Sequence, residues 1–145
     1  MKVILQRVSS GRVTVMNRTV AEIDQGVVLL LGIGQADGEE ETRYLADKIA
    51  NLRIFEDELG KMNRSLLDIG GAAIVVSQFT LYADTHKGRR PSFINAVPPD
   101  IARPMVDRFV EMLTNNGVPT QTGEFGEYMQ VEIHNDGPVT IILDR

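Results

Sequence analysis

Cysteine is absent from the chain. That excludes disulfides, thiolate metal sites and a cysteine nucleophile. Histidine is nearly absent: only His86 and His134 occur. A three-histidine zinc site is excluded, and a histidine general base has two candidates at most. Long apolar runs are missing. The longest, Val27 to Leu31, falls far short of the ~20 residues a membrane helix needs. No charged-then-apolar leader opens the chain, so the expected location is cytoplasmic and away from membranes. Positive charge is in deficit, 15 Lys and Arg against 20 Asp and Glu for a net charge of −5. A broad basic face for coating nucleic acid is disfavoured, whereas a local basic patch is not. Asp57, Asp84, Asp107 and Glu111 show no ligand spacing, so neither metal nor cofactor is expected.

With 145 residues, 43% of them hydrophobic, the chain is long enough for one well-cored domain spanning 1–145. Its pattern mixes strands and helices irregularly, which predicts an α+β fold with mixed β-sheets and two main helices. Val3-Ile4-Leu5 and Val13-Thr14-Val15 read as strands on either side of a turn at Ser9-Ser10-Gly11, and Thr19 to Ile23 continues the meander. Val27 to Ile33 has the continuous apolar pattern of a strand buried on both faces. Asp37 to Arg53 reads as a helix with Asp37 as N-cap and Glu40 completing a capping box; Leu45, Ile49 and Leu52 form its buried stripe. Glu39 to Glu41 then suit the positive end of the helix dipole rather than a binding tail. Asp57 to Gly71 is turn-rich, with Glu56-Asp57-Glu58 read as a solvated turn. Ala73 to Ser77 is a buried strand, and Ala83 to Val97 a long basic loop. Asp100 to Asn116 is a second helix, with Pro104 near its first turn and Gly117 just past its end. Met129 to Ile133 and Val139 to Leu143 read as a hairpin about Asn135-Asp136-Gly137.

Three segments carry chemistry-bearing groups. In Ser77-Gln78-Phe79-Thr80-Leu81 an apolar strand ends in hydroxyl and amide groups. Ser77 and Thr80 offer nucleophiles or hydrogen-bond donors, and Gln78 can orient a carbonyl. The plainer reading is a strand whose polar residues face solvent. A serine hydrolase needs a base within reach, and no Gly-x-Ser-x-Gly elbow is present. His86-Lys87-Gly88-Arg89-Arg90-Pro91 holds three fixed positive charges and no acid. It is either a solvated loop or a small phosphate site. Asn135-Asp136-Gly137-Pro138-Val139-Thr140 is either a turn with proline opening a strand or a segment with a cis Gly-Pro bond. His134 fits a structural or surface role better than catalysis.

Taken together, these segments closely resemble the D-aminoacyl-tRNA deacylase family of bacteria and eukaryotes, the type with a Gly-cisPro motif. The resemblance runs from Gln6-Arg7-Val8, through Asn51 to Asp57 and Gly60 to Asn63, to Thr140. It implies a homodimer with two active sites at the subunit interface. Ser77, Gln78, Phe79 and Thr80 would line the acyl end of an aminoacyl-tRNA. Gly137 and Pro138 would arrive from the partner subunit and leave no room for an L side chain. D-amino acids, and glycine mischarged on alanine tRNA, would be accepted and hydrolysed. Backbone N–H groups around Phe79 would stabilise the oxyanion, with the terminal 2′-OH of the tRNA assisting a water. That would remove the need for a histidine base; Thr80 as covalent nucleophile ranks lower. Phe125 and Met129 would help form the adenosine pocket, where Glu127 and Tyr128 stand in place of the smaller residues expected. Arg7 would hold the Gly137-Pro138 carbonyls. Apart from the resemblance, the charge of the basic loop leads us to expect that Lys87, Arg89 and Arg90 contact acceptor-stem phosphates. The competing expectations are a Ser/Thr esterase of small acyl compounds, and a non-enzymatic dimer that binds RNA ends.

Overall fold

The computed structural model describes residues 1–145. Its elements are β1 (Lys2–Val15), β2 (Arg18–Ile23), β3 (Gly26–Gly32), α1 (Glu39–Asn51), β4 (Phe55–Glu56), β5 (Met62–Arg64), β6 (Ala72–Ser77), a short 3₁₀ turn (Phe79–Tyr82), α2 (Pro99–Asn115), β7 (Thr120–Thr122) and β8 (Gln130–Asp144). The α+β expectation holds, with one mixed sheet, one small hairpin and two helices packed together.

The main sheet is built around β1. One edge of β1 pairs antiparallel with β8 along nearly its whole length; the other pairs with β3 from Lys2 to Val8 and with β2 from Gly11 to Val15. Parallel pairing then carries the sheet from β3 to β6 and from β6 to β7. The free end returns to β2, where Gln121 accepts from the Glu22 N–H at 2.9 Å and donates to the Glu22 carbonyl at 2.6 Å.

Two cores follow from the alternation of side chains along these strands. Val27, Leu29 and Leu31 of β3 and Ala73 and Val75 of β6 face α1 and α2, where Leu45, Ile49, Phe109 and Leu113 complete the larger core. Val28, Ile74 and Val76 point the other way, onto Val8, Val13, Ala21 and Ile23. The apolar run of β3 is therefore buried on both faces, as its pattern predicts.

Four expectations are corrected. Ser9-Ser10-Gly11 is not a turn, because β1 runs straight through it. The pairing with β8 shifts register on either side of Val8, and the buried face of β1 changes from one core to the other there. Gly11 sits where a Cβ would lie 2.9 Å from Val28 Cγ2, so glycine is required by close packing. Met129 to Leu143 is not a hairpin. Gln130–Asp144 is the single strand β8, whose residues 136–139 are looped out between the Val8–Asn135 and Gln6–Thr140 pairs. Finally, Gly38 rather than Asp37 caps α1, and Glu41 rather than Glu40 reaches back, accepting from Gly38 N–H at 2.9 Å. Asp37 is held elsewhere, as described below. Pro104 lies further into α2 than its first turn, because that helix begins at Pro99.

Candidate active site

Strand β6 carries the polar segment out of the core. Val75 and Val76 are buried, Ser77 and Gln78 half-buried, and Phe79 and Thr80 exposed. Gln78 N–H makes the last rung, donating to the Leu31 carbonyl at 2.7 Å. The chain then tightens into the 3₁₀ turn, closed by Leu81 N–H on the Gln78 carbonyl at 3.2 Å. At the start of this turn the Phe79 and Thr80 amides have no acceptor within the chain, as the first donors of any helical turn do. Gln78 Nε2 donates to Thr80 Oγ1, so the Thr80 hydroxyl is engaged by an amide.

The turn is braced from behind. Tyr82 lies flat over Gly34, where a Cβ would stand 2.5 Å from the Tyr82 hydroxyl oxygen. The hydroxyl donates to Asp37 Oδ2 at 3.2 Å, and the same oxygen accepts from Gly34 N–H at 2.6 Å. Asp37 also pairs with the Met1 ammonium. Burial, followed by the Asp37 charge and hydrogen bond, pushes the Tyr82 phenol well above its ordinary pKa.

Ser77, Gln78 and Phe79 line a mostly apolar cavity of about 510 Å³, together with Phe93, Phe125 and Met129. That volume suits a small-molecule or nucleoside site. Phe93 meets Phe79 edge-on, centroids 5.0 Å apart at 69°. Arg103 stacks on the Phe125 ring at 4.9 Å and donates to its carbonyl at 3.2 Å. Glu127 also lines the cavity, whereas Tyr128 is 93% exposed. The cavity thus gathers Ser77, Gln78, Phe79, Phe125 and Met129 from distant parts of the chain, with Thr80 one hydrogen bond away. Sequence reasoning gave no site role to Phe93, Tyr82 or Arg103. Of these, only Phe93 had a signal, its place in the basic loop just after the charged run 86–90.

Other candidate residues lie elsewhere. Neither histidine lines the cavity. His86 is exposed and sits with Nδ1 2.7 Å from Asp84 Oδ1, while His134 is exposed on β8. Lys87 and Arg89 lie out on the basic loop, both exposed. Gly137 and Pro138 are exposed in the looped-out part of β8, and the peptide bond between them is cis. Arg7 is buried beneath them. Its Nη1 donates to the Ile54 carbonyl at 2.6 Å and its Nε to the Asp136 carbonyl at 3.0 Å. The bonds of Arg7 thus reach the residue before Gly137.

The family model for D-Tyr-tRNA(Tyr) deacylase matches residues 4–144. The chain belongs to the D-Tyr-tRNA(Tyr) deacylase family. It is accordingly a deacylase, an enzyme that hydrolyses an acyl ester. The resemblance drawn from the motifs is therefore correct. Among its relatives, a D-aminoacyl-tRNA deacylase of Thermomicrobium roseum is 62% identical over 144 residues, covering 99% of this chain and 94% of the relative. One of a Roseiflexus species is 60% identical, covering 99% and 93%. Among solved structures, one described as a c-Myc DNA unwinding element binding protein superposes with a TM-score of 0.93 at 41% identity, covering 100% of this chain and 99% of that one. A probable eukaryotic D-amino acid tRNA deacylase, only 20% identical, shares the fold with a TM-score of 0.86. It covers 99% of this deacylase and 98% of its own chain. No helix of this deacylase is long and apolar enough to cross a membrane.

Proposed function

We propose that the whole chain, residues 1–145, acts as one deacylase domain that hydrolyses the ester between a D-aminoacyl group and the terminal adenosine of tRNA. The observation that carries this reading is the end of β6. Ser77, Gln78 and Phe79 open onto an apolar cavity with no histidine in its wall, in a chain 62% identical to a relative named for that reaction. Phe125, Met129 and Phe93 supply surfaces on which an adenine can stack, worth about 1–3 kcal/mol per base. The free Phe79 and Thr80 amides offer donors to the tetrahedral oxyanion. Water attacks the carbonyl carbon with help from the neighbouring ribose 2′-OH, and the 3′ oxygen leaves with a proton. Ser77 and Gln78 orient the acyl end.

Selection against L-amino acids is assigned to Gly137 and Pro138 of a second copy in a homodimer. Both residues are exposed and stand apart from their own chain's cavity. Gly137 has no side chain, so its backbone can approach an α-carbon closely. Excluding one substituent leaves the identity of a D side chain unread, and glycine mischarged on alanine tRNA passes as well. Such an enzyme works in the cytoplasm, where aminoacyl-tRNA is used. A Ser/Thr esterase is disfavoured, because Thr80 faces an amide and no base.

Incubation with D-Tyr-tRNA, L-Tyr-tRNA and Gly-tRNA tests the reading. D and Gly esters are released and the L ester survives; equal loss of L overturns it, and binding without release favours an RNA-end-binding module. Ser77→Ala and Thr80→Ala each retain most activity. An acyl group trapped on Thr80 refutes the 2′-OH route.

A further inference from the structure

The densest unpaired charge on the molecule stands on the loop that ends at Phe93, a residue of the cavity wall. Asp84 and Ser92 exchange both backbone hydrogen bonds, at 2.7 and 2.9 Å, and so close a loop on a narrow neck. The Asp84 carboxylate, the loop's one acid, accepts from His86 N–H at 2.9 Å. That bond and the His86 ring hold its carboxyl below the usual pKa. It therefore organises the neck. Beyond it Lys87, Arg89 and Arg90 are all exposed, and none takes part in an ion pair. By contrast Arg12, Arg18, Arg64, Arg108 and Arg145 are each matched to a glutamate. Gly88 turns the tip with φ +72° and open space around it.

The foot of the loop belongs to the cavity. Phe93 follows Ser92 directly, and its edge-on contact with Phe79 places both rings in the cavity wall. An adenine stacked on Phe93, as proposed above, lies one residue from the Ser92 side of the neck. The tip lies four residues from the neck, a reach of roughly 13 Å at strand rise. That reach covers the nearest backbone phosphates and falls short of a distant duplex. Two arginines and a lysine free of carboxylates are the side chains that bind such phosphates. The rest of the acidic chain repels RNA.

We propose that residues 86–90 form a phosphate clamp for the single-stranded nucleotides just upstream of the terminal adenosine. The cavity reads the nucleoside and acyl group, and the loop supplies the salt-dependent part of RNA affinity. This rests on the substrate proposed above.

The test compares wild type with Lys87→Ala/Arg89→Ala/Arg90→Ala on D-Tyr-tRNA and on D-tyrosyl-adenosine, which has no phosphate. kcat/KM is measured from 50 to 200 mM salt. Neutralising a single-strand phosphate contributes about −0.7 to the slope of log affinity against log salt. Loss of three cations therefore flattens the tRNA slope by about 2. Wild type loses about 20-fold more than the variant across that range. D-tyrosyl-adenosine is hydrolysed equally by both proteins and without that salt dependence. Arg89→Lys/Arg90→Lys keeps the wild-type slope, since a point charge suffices. Uncharged tRNA, intact or trimmed of its 3′ single strand, is bound in parallel. The variant defect disappears with the trimmed RNA. An unchanged slope in the triple variant overturns the clamp. So does an equal defect on D-tyrosyl-adenosine, or a defect that persists with trimmed tRNA. Failure of wild type to hydrolyse either ester refutes the substrate instead, and the binding arms still decide the clamp.

Discussion

Replacing Arg7 with methionine keeps most of the side chain's length and removes its charge and donors. Arg7 is only 5% exposed. Its guanidinium ties the Ile54 carbonyl at 2.6 Å to the Asp136 carbonyl at 3.0 Å, with the Asp136 carboxylate 3.3 Å away. A hydrogen bond from a charged donor contributes about 1.5–3 kcal/mol, so the two bonds together approach roughly 3–6 kcal/mol. Asp136 is exposed, and its carbonyl and carboxylate recover water in the variant, which discounts that half. The net loss is then about 3 kcal/mol. With a urea slope near ~2 kcal/mol/M, the unfolding midpoint falls by about 1.5 M, measured at one protein concentration because oligomer stability varies with it. The same substitution frees the Asp136–Pro138 segment, so the preference for D-Tyr-tRNA over L-Tyr-tRNA narrows. Arg7→Lys keeps one of the two bonds and falls between. A midpoint within about 0.3 M of wild type, with discrimination intact, refutes this account of Arg7.

Gly34→Ala drives a methyl group into the Tyr82 ring, whose nearest atoms would be 2.5–2.6 Å away. It costs about 1–3 kcal/mol as overpacking and displaces the turn bearing Phe79, so kcat falls more than thermal stability alone explains; Tyr82→Leu in the same chain relieves part of the loss. Phe93→Ala removes the edge-on partner of Phe79 and about 0.5–1.5 kcal/mol of aromatic pairing; it raises KM for D-Tyr-tRNA in steady-state assays. Asp57 accepts from the backbone N–H of Lys61, then from the Asn63 side chain and the Leu59 N–H, which holds its carboxyl below the ordinary range. A carboxylate whose folded pKa is depressed stabilises the fold above its unfolded pKa of about 3.9 and loses that contribution as pH falls through the folded value. Asp57→Asn should therefore flatten the acid limb of a stability-versus-pH curve below about pH 4 and leave its neutral region nearly parallel to wild type.

The segments that sequence patterning reads well are those with a local period. The continuous apolar runs of β3 and β6 required burial on both faces, and the stripe through Leu45 and Ile49 required a helix packed on a sheet. Misreadings fall where a distant partner decides the local conformation. Ser9-Ser10-Gly11 has turn composition, yet Val28 approaches so closely that Gly11 serves a crossing point between two cores. Asn135-Asp136-Gly137 has hairpin composition, yet β1 runs past both flanking segments and holds them in one strand. Asp37 has the chemistry of a helix cap, but Gly34, Tyr82 and the Met1 ammonium claim its oxygens first.

The candidate site divides the same way. By itself the sequence determined the family, the absence of cysteine chemistry and the shortage of histidine bases, because these depend only on which residues are present and in what order. It also supplied Ser77, Gln78, Phe79, Phe125 and Met129 as separate names. Only the tertiary structure decided that they share one cavity, that Phe93 links that cavity to the basic loop, and that Arg7 grips Asp136 from below. These are contacts between residues up to 129 positions apart. No local pattern encodes them, since they arise only when burial of two apolar cores brings distant segments together.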